Sequence, residues 1–284
     1  MTPNSSRASR TLVHAALLAA CVVTLLPLLW LLLSSFKTNE SFLTSLGLPT
    51  DDKGMPDPSQ LTGEHYATLF RDLDFARPLI NSLFLSSATA VLGTLCSAMG
   101  GYALARFQFR GRGLVTALVL GAVLIPGPLL LAPGYELLYN LHLLNTFSGV
   151  ILPASAQAFG VFLFRQAVLS GVPADLMEAA RLDGCGEFRL FAEIVLPLVK
   201  PMIATFVMLT FLGVWNNFIT PQVVLQSESK FPLSVAVAQL RGTYYQNYGL
   251  QMAGTVVSIV PVLALFLSLQ KSFVGGLTAG AVKS

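Results

Sequence analysis

Charged residues are scarce in this chain. Only 11% of its 284 residues are Asp, Glu, Lys or Arg, whereas 54% are hydrophobic. Soluble domains carry about 25% charged residues, so this composition excludes an ordinary soluble domain and indicates a membrane protein. The formal net charge of +3 is too small to suggest a nucleic-acid partner. We therefore expect membrane lipid, and no nucleic acid, around this chain.

Cysteine is scarce too. The three thiols, Cys21, Cys96 and Cys185, are far apart, and none belongs to a CxxC pair or lies near a cluster of histidines. This spacing argues against a disulfide framework and against a zinc site. The three histidines have no second ligand nearby in the sequence. We therefore expect no metal site in this chain.

No Asp, Glu, Lys or Arg lies near the centre of a long apolar segment. Proton- and voltage-coupled transporters usually keep ionisable groups at membrane depth, so we expect any solute movement by this chain to use energy from elsewhere. The acids cluster in the polar segments, with no nucleophile or acid–base pair set against them. We therefore expect no enzymatic activity.

Apolar segments of membrane-spanning length predict a single all-α membrane domain, residues 1–284, with six transmembrane helices. The predicted spans are residues 11–33, 79–105, 114–133, 146–169, 202–220 and 249–269. The first segment is about 20 residues long and lacks a small-x-small cleavage site, so we interpret it as a retained span rather than a signal peptide. A polar, turn-rich outer loop covers residues 34–77, and a charged loop covers residues 171–200.

Lys and Arg are distributed unevenly between the two sides that six spans define. Eleven of the seventeen basic residues lie on the side that holds both termini and the charged loop. Because cytoplasmic loops attract Lys and Arg, we expect both termini and the charged loop to be cytoplasmic.

The charged loop has the pattern of a helix, a glycine turn and a second helix. Pro173 suits the first turn of a helix, and Asp175 places negative charge near its start. Glu178 and Arg181 are spaced to form a pair, and Gly184 suits the helix end. The second predicted helix runs from residue 187 to 196. Its apolar face comprises Phe188, Phe191, Ile194 and Val195. From the residues alone, packing on the protein itself and docking of a partner are equally supported.

The segment EAARLDGCGEFRLFAEIVLPLVKP, residues 178–201, resembles the EAA motif of permease subunits in bacterial ABC importers. The motif positions that match are Glu178, Ala179, Ala180, Gly184, Ile194, Leu196 and Pro197. Four further stretches are similar to the carbohydrate-type subgroup, and in particular to the smaller maltose-permease subunit: LHLLNTFSGVILP (141–153), FRQAVLSGVP (164–173), VWNNFITP (214–221) and FVGGLTAGAVK (273–283). The departures are Cys185 in place of the usual Ala, a final Ser284, and a long insert at 45–62.

The resemblance implies a multi-pass protein of the bacterial inner membrane that works with three kinds of partner: a second homologous permease subunit, a cytoplasmic ATPase dimer and an extracytoplasmic solute-binding protein. It implies a coupling helix between spans four and five, with the ATPase contact at Glu178, Ala179, Ala180, Asp183 and Gly184. The tail at 273–283 is expected to reach the same ATPase. The chain has no GxxxxGK[ST] loop, so ATP and Mg²⁺ are expected on the ATPase and no cofactor on this chain.

Amide and aromatic side chains inside the spans are the candidates for a solute pathway. Buried amides cost free energy unless they meet polar partners or water, and they suit sugar hydroxyl groups. The candidates are Trp215, Asn216, Asn217, Asn81 and Gln157. Hydrogen bonding between helices explains the same residues equally well. No basic residue lies near the centre of a span, so we expect a neutral sugar as the solute. A polyol or a glycerol-phosphate-like solute, or a carrier working alone, are the alternatives.

Overall fold

The computed structural model describes residues 7–51, 54–241 and 247–281. The described residues form fifteen α-helices, numbered in chain order: α1 Arg7–Ser34, α2 Asn39–Thr44, α3 Glu64–Arg71, α4 Ala76–Arg106, α5 Arg112–Val123, α6 Leu131–Asn140, α7 Phe147–Ser155, α8 Ala158–Gly171, α9 Ala174–Leu182, α10 Glu187–Leu190, α11 Leu196–Leu198, α12 Lys200–Trp215, α13 Ile219–Val224, α14 Leu233–Gln239 and α15 Tyr248–Ala281. Over these ranges the only extended pairing is two isolated β-bridges. The predicted all-α class is therefore confirmed.

Three helices are each long and apolar enough to cross a membrane. They are Arg10–Ser34, Ala76–Arg106 and Tyr248–Ser268, and they overlap the first, second and sixth predicted spans. Their mean hydropathies are 2.6, 1.6 and 2.1, so Ala76–Arg106 is the least apolar of the three. That helix also carries the buried hydroxyl and amide groups described below.

The other three apolar regions are bent rather than straight. Bends of 103°, 41° and 82° separate their paired helices. The pairs are Arg112–Val123 with Gly127–Asn140, Phe147–Ser155 with Ala158–Gly171, and Glu187–Leu198 with Lys200–Trp215. The described residues therefore hold three spans, or six if each bent pair is one span. The first and third breaks lie beside prolines, Pro126 and Pro201, which remove a helical hydrogen-bond donor.

One compact unit comprises the described residues up to 75 and those from 237 to 260. The predicted outer loop, residues 34–77, is called the outer segment, and it holds the helices α2 and α3 rather than turns alone. Lys37 is 1% exposed, and its ammonium donates to the Ser45 carbonyl at 2.7 Å. The ring of His65 bonds the Lys37 carbonyl at 2.8 Å, and Phe42 stacks on Tyr248 with ring centres 4.8 Å apart. Burial lowers the pKa of the Lys37 ammonium.

The second unit comprises residues 76–236 and the described residues from 261. Its central helix is α4, which packs most extensively against α8 and α12. Small residues make this approach possible. A β-carbon at Gly101 would lie 2.6 Å from the Arg165 backbone nitrogen, and one at Gly160 would collide with Ser97 and Phe206. Glycine is therefore required at both crossing points.

Two apolar clusters lie along this second unit. The first joins the C-terminal half of α4 to α8, α9 and α12, and its buried members include Tyr102, Phe164, Met177, Phe191 and Val195. The second lies around the N-terminal half of α4 and includes Leu85, Val150 and Val224. The charged loop therefore packs on the rest of this unit through the first cluster.

Candidate functional site

The charged loop at 171–200 turns at Gly184, as its sequence predicts. The helix α9 follows Pro173 and ends at Leu182. The Gly184 N–H then donates to the Arg181 carbonyl at 3.0 Å and the Cys185 N–H donates to the Ala180 carbonyl at 2.9 Å. Gly184 has φ +83°, in the left-handed region that other residues resist. This pair of bonds is the Schellman helix end, in which glycine is strongly preferred.

The residues predicted to contact the ATPase lie on α9 and in the turn that follows it. Glu178, Ala179, Asp183 and Gly184 are exposed, whereas Ala180 is half-buried and packs against the first apolar cluster.

The expectation for the large apolar residues of the loop is wrong at one position. Phe188 is 79% exposed rather than buried with Phe191 and Val195. A π-helical turn occupies Phe191–Val195. The buried face of the second helix is formed by Leu190, Phe191, Val195 and Val199. Phe188 is two residues before Leu190, or about 200° away around a helix of 3.6 residues per turn. Phe188 therefore lies outside that face, and Leu182 beyond the turn is 89% exposed.

Arg181 pairs with Glu187 rather than with Glu178, the partner that its spacing suggested. Its Nε lies 2.7 Å from Oε1 of Glu187 across the glycine turn. The same carboxylate accepts a hydrogen bond from the Tyr102 hydroxyl at 2.6 Å. The bonds from Arg181 and then Tyr102 hold the pKa of the Glu187 carboxyl below its ordinary value. Among the residues that the structure describes, Glu178 makes no ion pair.

A cavity of about 370 Å³ lies between α8 and α12. Its lining residues are Gln157, Phe159, Phe206, Leu209, Thr210, Gly213, Val214 and Asn217. Gln157 occupies the break between α7 and α8, and Asn217 follows the end of α12. The Thr210 hydroxyl donates to Gln157 Oε1 at 3.3 Å, and the Asn217 amide donates to the Thr220 hydroxyl at 3.1 Å. Two of the five predicted pathway residues therefore meet at one cavity.

The other three predicted pathway residues lie elsewhere. Trp215 is 5% exposed and stacks on Phe211 with ring centres 5.5 Å apart. The Asn216 side chain is exposed and donates to the Leu212 carbonyl of its own helix at 3.0 Å. The Asn81 amide donates to the carbonyls of residues 229 and 231, each at 3.0 Å. None of the three is among the residues lining the cavity.

The fifth predicted span, residues 202–220, extends beyond the helix that the structure describes there. The helix α12 stops at Trp215 rather than continuing to residue 220, so Asn216 and Asn217 lie at a helix end and not in its middle. Sequence reasoning also missed Thr210 and Gly213. They precede Asn217 by seven and four residues, a helical spacing that places all three on one face.

The tail at 273–283, which is predicted to reach the ATPase, lies partly outside the described residues. The backbone of residues 273–281 continues α15, and residues 282–284 lie outside the described residues.

Comparison with known proteins agrees with this architecture. Residues 93–275 match the model of the family described as binding-protein-dependent transport system inner membrane component. The arabinooligosaccharides transport system permease protein AraQ of Halalkalibacterium halodurans is 40% identical over 262 residues, covering 92% of each chain. The diacetylchitobiose uptake system permease protein NgcG of Streptomyces coelicolor is 32% identical over 284 residues, covering 99% of this chain and 91% of that protein.

A solved structure has the same fold. It is a bacterial ABC transporter involved in the import of the acidic polysaccharide alginate, with a TM-score of 0.81 at 24% identity, covering 96% of this chain and 100% of that one. The resemblance to maltose-permease-type subunits is confirmed by the family match and by these relatives. The chain belongs to the binding-protein-dependent transport system inner membrane component family, as a non-catalytic, multi-pass permease subunit of an ABC transporter.

Proposed function

We propose that this subunit forms half of the membrane pathway of a sugar importer and is driven by an ATPase that docks on the charged loop at 171–200. A second homologous permease subunit supplies the other half of the pathway. An extracytoplasmic binding protein delivers the sugar. ATP and Mg²⁺ bind to the ATPase dimer, and the loop and both termini lie on the cytoplasmic side.

The observation that carries this proposal is the exposed surface around the Gly184 turn. Leu182 is 89% exposed and Phe188 is 79% exposed, and burying such a side chain gains about 1.5–3 kcal/mol. Ala179 and Gly184 add little bulk beside them, which lets a partner approach closely. Glu178 supplies a charge that has no ion-pair partner among the described residues. Such a mixed apolar and charged surface is suited to a protein partner.

The turn itself is stiff enough to transmit force. Its two backbone hydrogen bonds and the Arg181–Glu187 pair fix the second helix of the loop relative to α9. A partner that moves Gly184 therefore moves the whole loop. This rigid-body behaviour is what a subunit without its own energy source requires.

The cavity between α8 and α12 supports a neutral sugar as the solute. The amides of Gln157 and Asn217 and the hydroxyl of Thr210 are suited to sugar hydroxyl groups, and Phe159 and Phe206 supply aromatic rings. Among the described residues, no charged side chain lines this cavity. A glycerol-phosphate-like solute needs a basic partner, so this lining disfavours it. The arabinooligosaccharide and diacetylchitobiose relatives support the same class.

Helix breaks place the polar groups of this cavity. Gln157 follows the end of α7 and Asn217 follows the end of α12. Irregular backbone at membrane depth is tolerated where it lines a cavity, and transporters place their solute sites at such interruptions. Two breaks at one cavity therefore support a solute path at this point.

The test is ATP-driven uptake by the complete transporter reconstituted in lipid vesicles, with its ATPase, second permease and binding protein. A panel of neutral sugars, polyols and phosphorylated glycerols is offered with and without ATP. We expect uptake of a neutral sugar that requires ATP. Uptake by this chain without the ATPase, or selective uptake of a phosphorylated solute, contradicts the proposal.

A further inference from the structure

The C-terminal turns of α4 carry two polar side chains that face the charged loop. Tyr102 is 4% exposed, and Arg106 ends the helix. In the sequence, Tyr102 follows two glycines and gives no sign of a role beyond packing. In the structure, both side chains bond to the loop or to its entrance.

Arg106 holds the entrance of the loop. Its guanidinium donates to the Val168 carbonyl at 3.3 Å and also to the Val172 carbonyl. These carbonyls belong to the C-terminal end of α8, where a positive charge is favourable because the helix dipole is negative there. The point at which α8 becomes the loop is thereby tied to α4.

Tyr102 holds the interior of the loop. Its hydroxyl donates to Glu187 Oε2 at 2.6 Å, within the range of about 2.5–2.7 Å typical of charge-assisted O–H···O⁻ bonds. The other oxygen of Glu187 accepts from Arg181 Nε at 2.7 Å. One carboxylate therefore joins both helices of the loop to α4.

Apolar packing surrounds this polar link without replacing it. The Tyr102 ring lies against Phe191, with ring centres 5.4 Å apart, and Met177 of α9 is buried in the same cluster. Apolar contacts are non-directional, so they resist separation of the loop from α4 but only weakly resist rotation. The hydrogen bonds to Glu187 supply the direction.

The helix α4 also reaches the cavity. Nine residues before Tyr102, or about 13 Å along the helix, a β-carbon at Gly93 would lie 3.2 Å from Nε2 of Gln157. The same straight helix thus contacts the loop at one level and a cavity residue at another.

We infer that Tyr102 is a positioning residue, and that the Tyr102–Glu187–Arg181 network transmits movement of the charged loop to α4 and so to the cavity. This inference rests on the proposed function. It adds to the ATPase contact a second requirement: a docked loop that has lost its link to α4 moves without carrying the pathway helix with it. ATP hydrolysis then continues, but less of it produces transport.

The test uses Tyr102→Phe, which keeps the ring and its packing and removes only the hydroxyl. The complete transporter is purified and reconstituted. Three quantities are measured: the amount of ATPase that copurifies, the rate of ATP hydrolysis with and without loaded binding protein, and the sugar transported per ATP. We expect normal copurification and a fall of about fivefold or more in sugar per ATP, in the range of a typical coupling free energy.

Glu193→Gln is the matched control. It removes the Arg189–Glu193 pair at 2.9 Å, which is exposed on the same loop and makes no bond to α4. We expect unchanged sugar per ATP in this variant. An equal loss in Glu193→Gln and Tyr102→Phe contradicts the inference, because the loss would then not depend on a bond between the loop and α4.

A double-mutant cycle tests the link itself. Glu187→Gln replaces the shared carboxylate, and we expect Glu187→Gln combined with Tyr102→Phe to lose no more sugar per ATP than the more affected single variant. Additive losses overturn the network. If Tyr102→Phe does not insert, Glu187→Gln alone decides, and normal sugar per ATP in it overturns the inference. Loss of thermal stability with unchanged sugar per ATP also overturns it.

Failure of the proposed function has a different signature. In that case the charged loop does not bind the ATPase, and a variant of the Gly184 turn leaves copurification unchanged. In contrast, if only the inference about Tyr102 is wrong, the ATPase still copurifies with the transporter, and the Gly184 turn variant still reduces that copurification. The two outcomes are therefore distinguishable in one set of preparations.

Discussion

The charged loop and the cavity between α8 and α12 are assembled in opposite ways. The loop is one continuous stretch, closed by bonds between residues no more than about six positions apart, except where Tyr102 and Arg106 join it. The cavity brings together Gln157 and Thr210, which are 53 positions apart in the sequence. A structure formed by neighbouring residues can be recognised as a sequence motif, whereas a site assembled by packing can be recognised only once the helices are placed. If the two serve different steps, their variants have separable effects.

The largest effect is expected from Gly184→Val. A β-branched residue strongly resists the φ of +83° at this position, so the turn must reshape. We expect ATP-driven uptake and ATPase copurification to fall by about 100-fold, at a cost comparable to roughly 3 kcal/mol, while membrane insertion is retained. Immunoblotting of membranes and pull-down of the ATPase measure both.

Gly186→Ala is the control for that variant. Gly186 has φ −70°, and a β-carbon there meets nothing within 4 Å. We expect normal uptake. Normal uptake in Gly184→Val as well would remove the loop from the coupling step.

A smaller effect is expected from Leu182→Ala. This truncation removes an apolar side chain that is 89% exposed and that the docked ATPase buries in the proposed complex. We expect ATPase affinity to fall by about tenfold, or roughly 1.4 kcal/mol, with the sugar concentration at half-maximal uptake unchanged. Leu46→Ala, at a residue 86% exposed in the outer segment, is the control and leaves ATPase affinity unchanged. If Leu182→Ala and Leu46→Ala lower ATPase affinity equally, the loss follows from removing any exposed leucine and not from the charged loop.

Asn217→Ala tests the cavity side of the comparison. We expect the sugar concentration at half-maximal uptake to rise by about tenfold, because one hydrogen bond to the solute is lost, about 1–1.5 kcal/mol. ATPase copurification stays normal. The control is Asn216→Ala, one position away, whose exposed amide bonds only its own helix. If Asn216→Ala raises that concentration and Asn217→Ala does not, the cavity is not the path.

The smallest effect on transport is expected from Asn81→Ala. This variant leaves the carbonyls of residues 229 and 231 without their donor, which costs about 1–3 kcal/mol of stability. We expect a lower midpoint of thermal unfolding in detergent and an unchanged sugar dependence of uptake. A changed sugar dependence would return Asn81 to the pathway.

The sequence predicted the local features whose cause lies within a few residues. Gly184 is an example, because only glycine readily accepts the backbone conformation after α9. Pro126 and Pro201 likewise lie beside helix breaks, because proline removes a helical hydrogen-bond donor. The prediction failed at Phe188, because the buried face of the second helix starts at Leu190, and both residues are large and apolar, so the residues themselves do not show which of them packs.

The polar side chains inside the spans were harder to assign. Three of these residues have the same side chain: Asn81, Asn216 and Asn217. Their roles differ only through neighbours that are distant in sequence or through the direction in which each side chain leaves the backbone. Asn217 is distinguished by its helical spacing from Thr210 and Gly213. The bond between Tyr102 and Glu187 spans 85 residues, and no local pattern announces it.

The burial of Lys37 gives the outer segment a reporter of its own. Trypsin cleaves after lysine, but the Lys37 side chain is 1% exposed and bonded to the Ser45 carbonyl. The protease requires both an accessible side chain and an extended, mobile backbone, so cleavage after Lys37 demands that the segment first open locally. The rate of that cut therefore follows the opening of the outer segment alone.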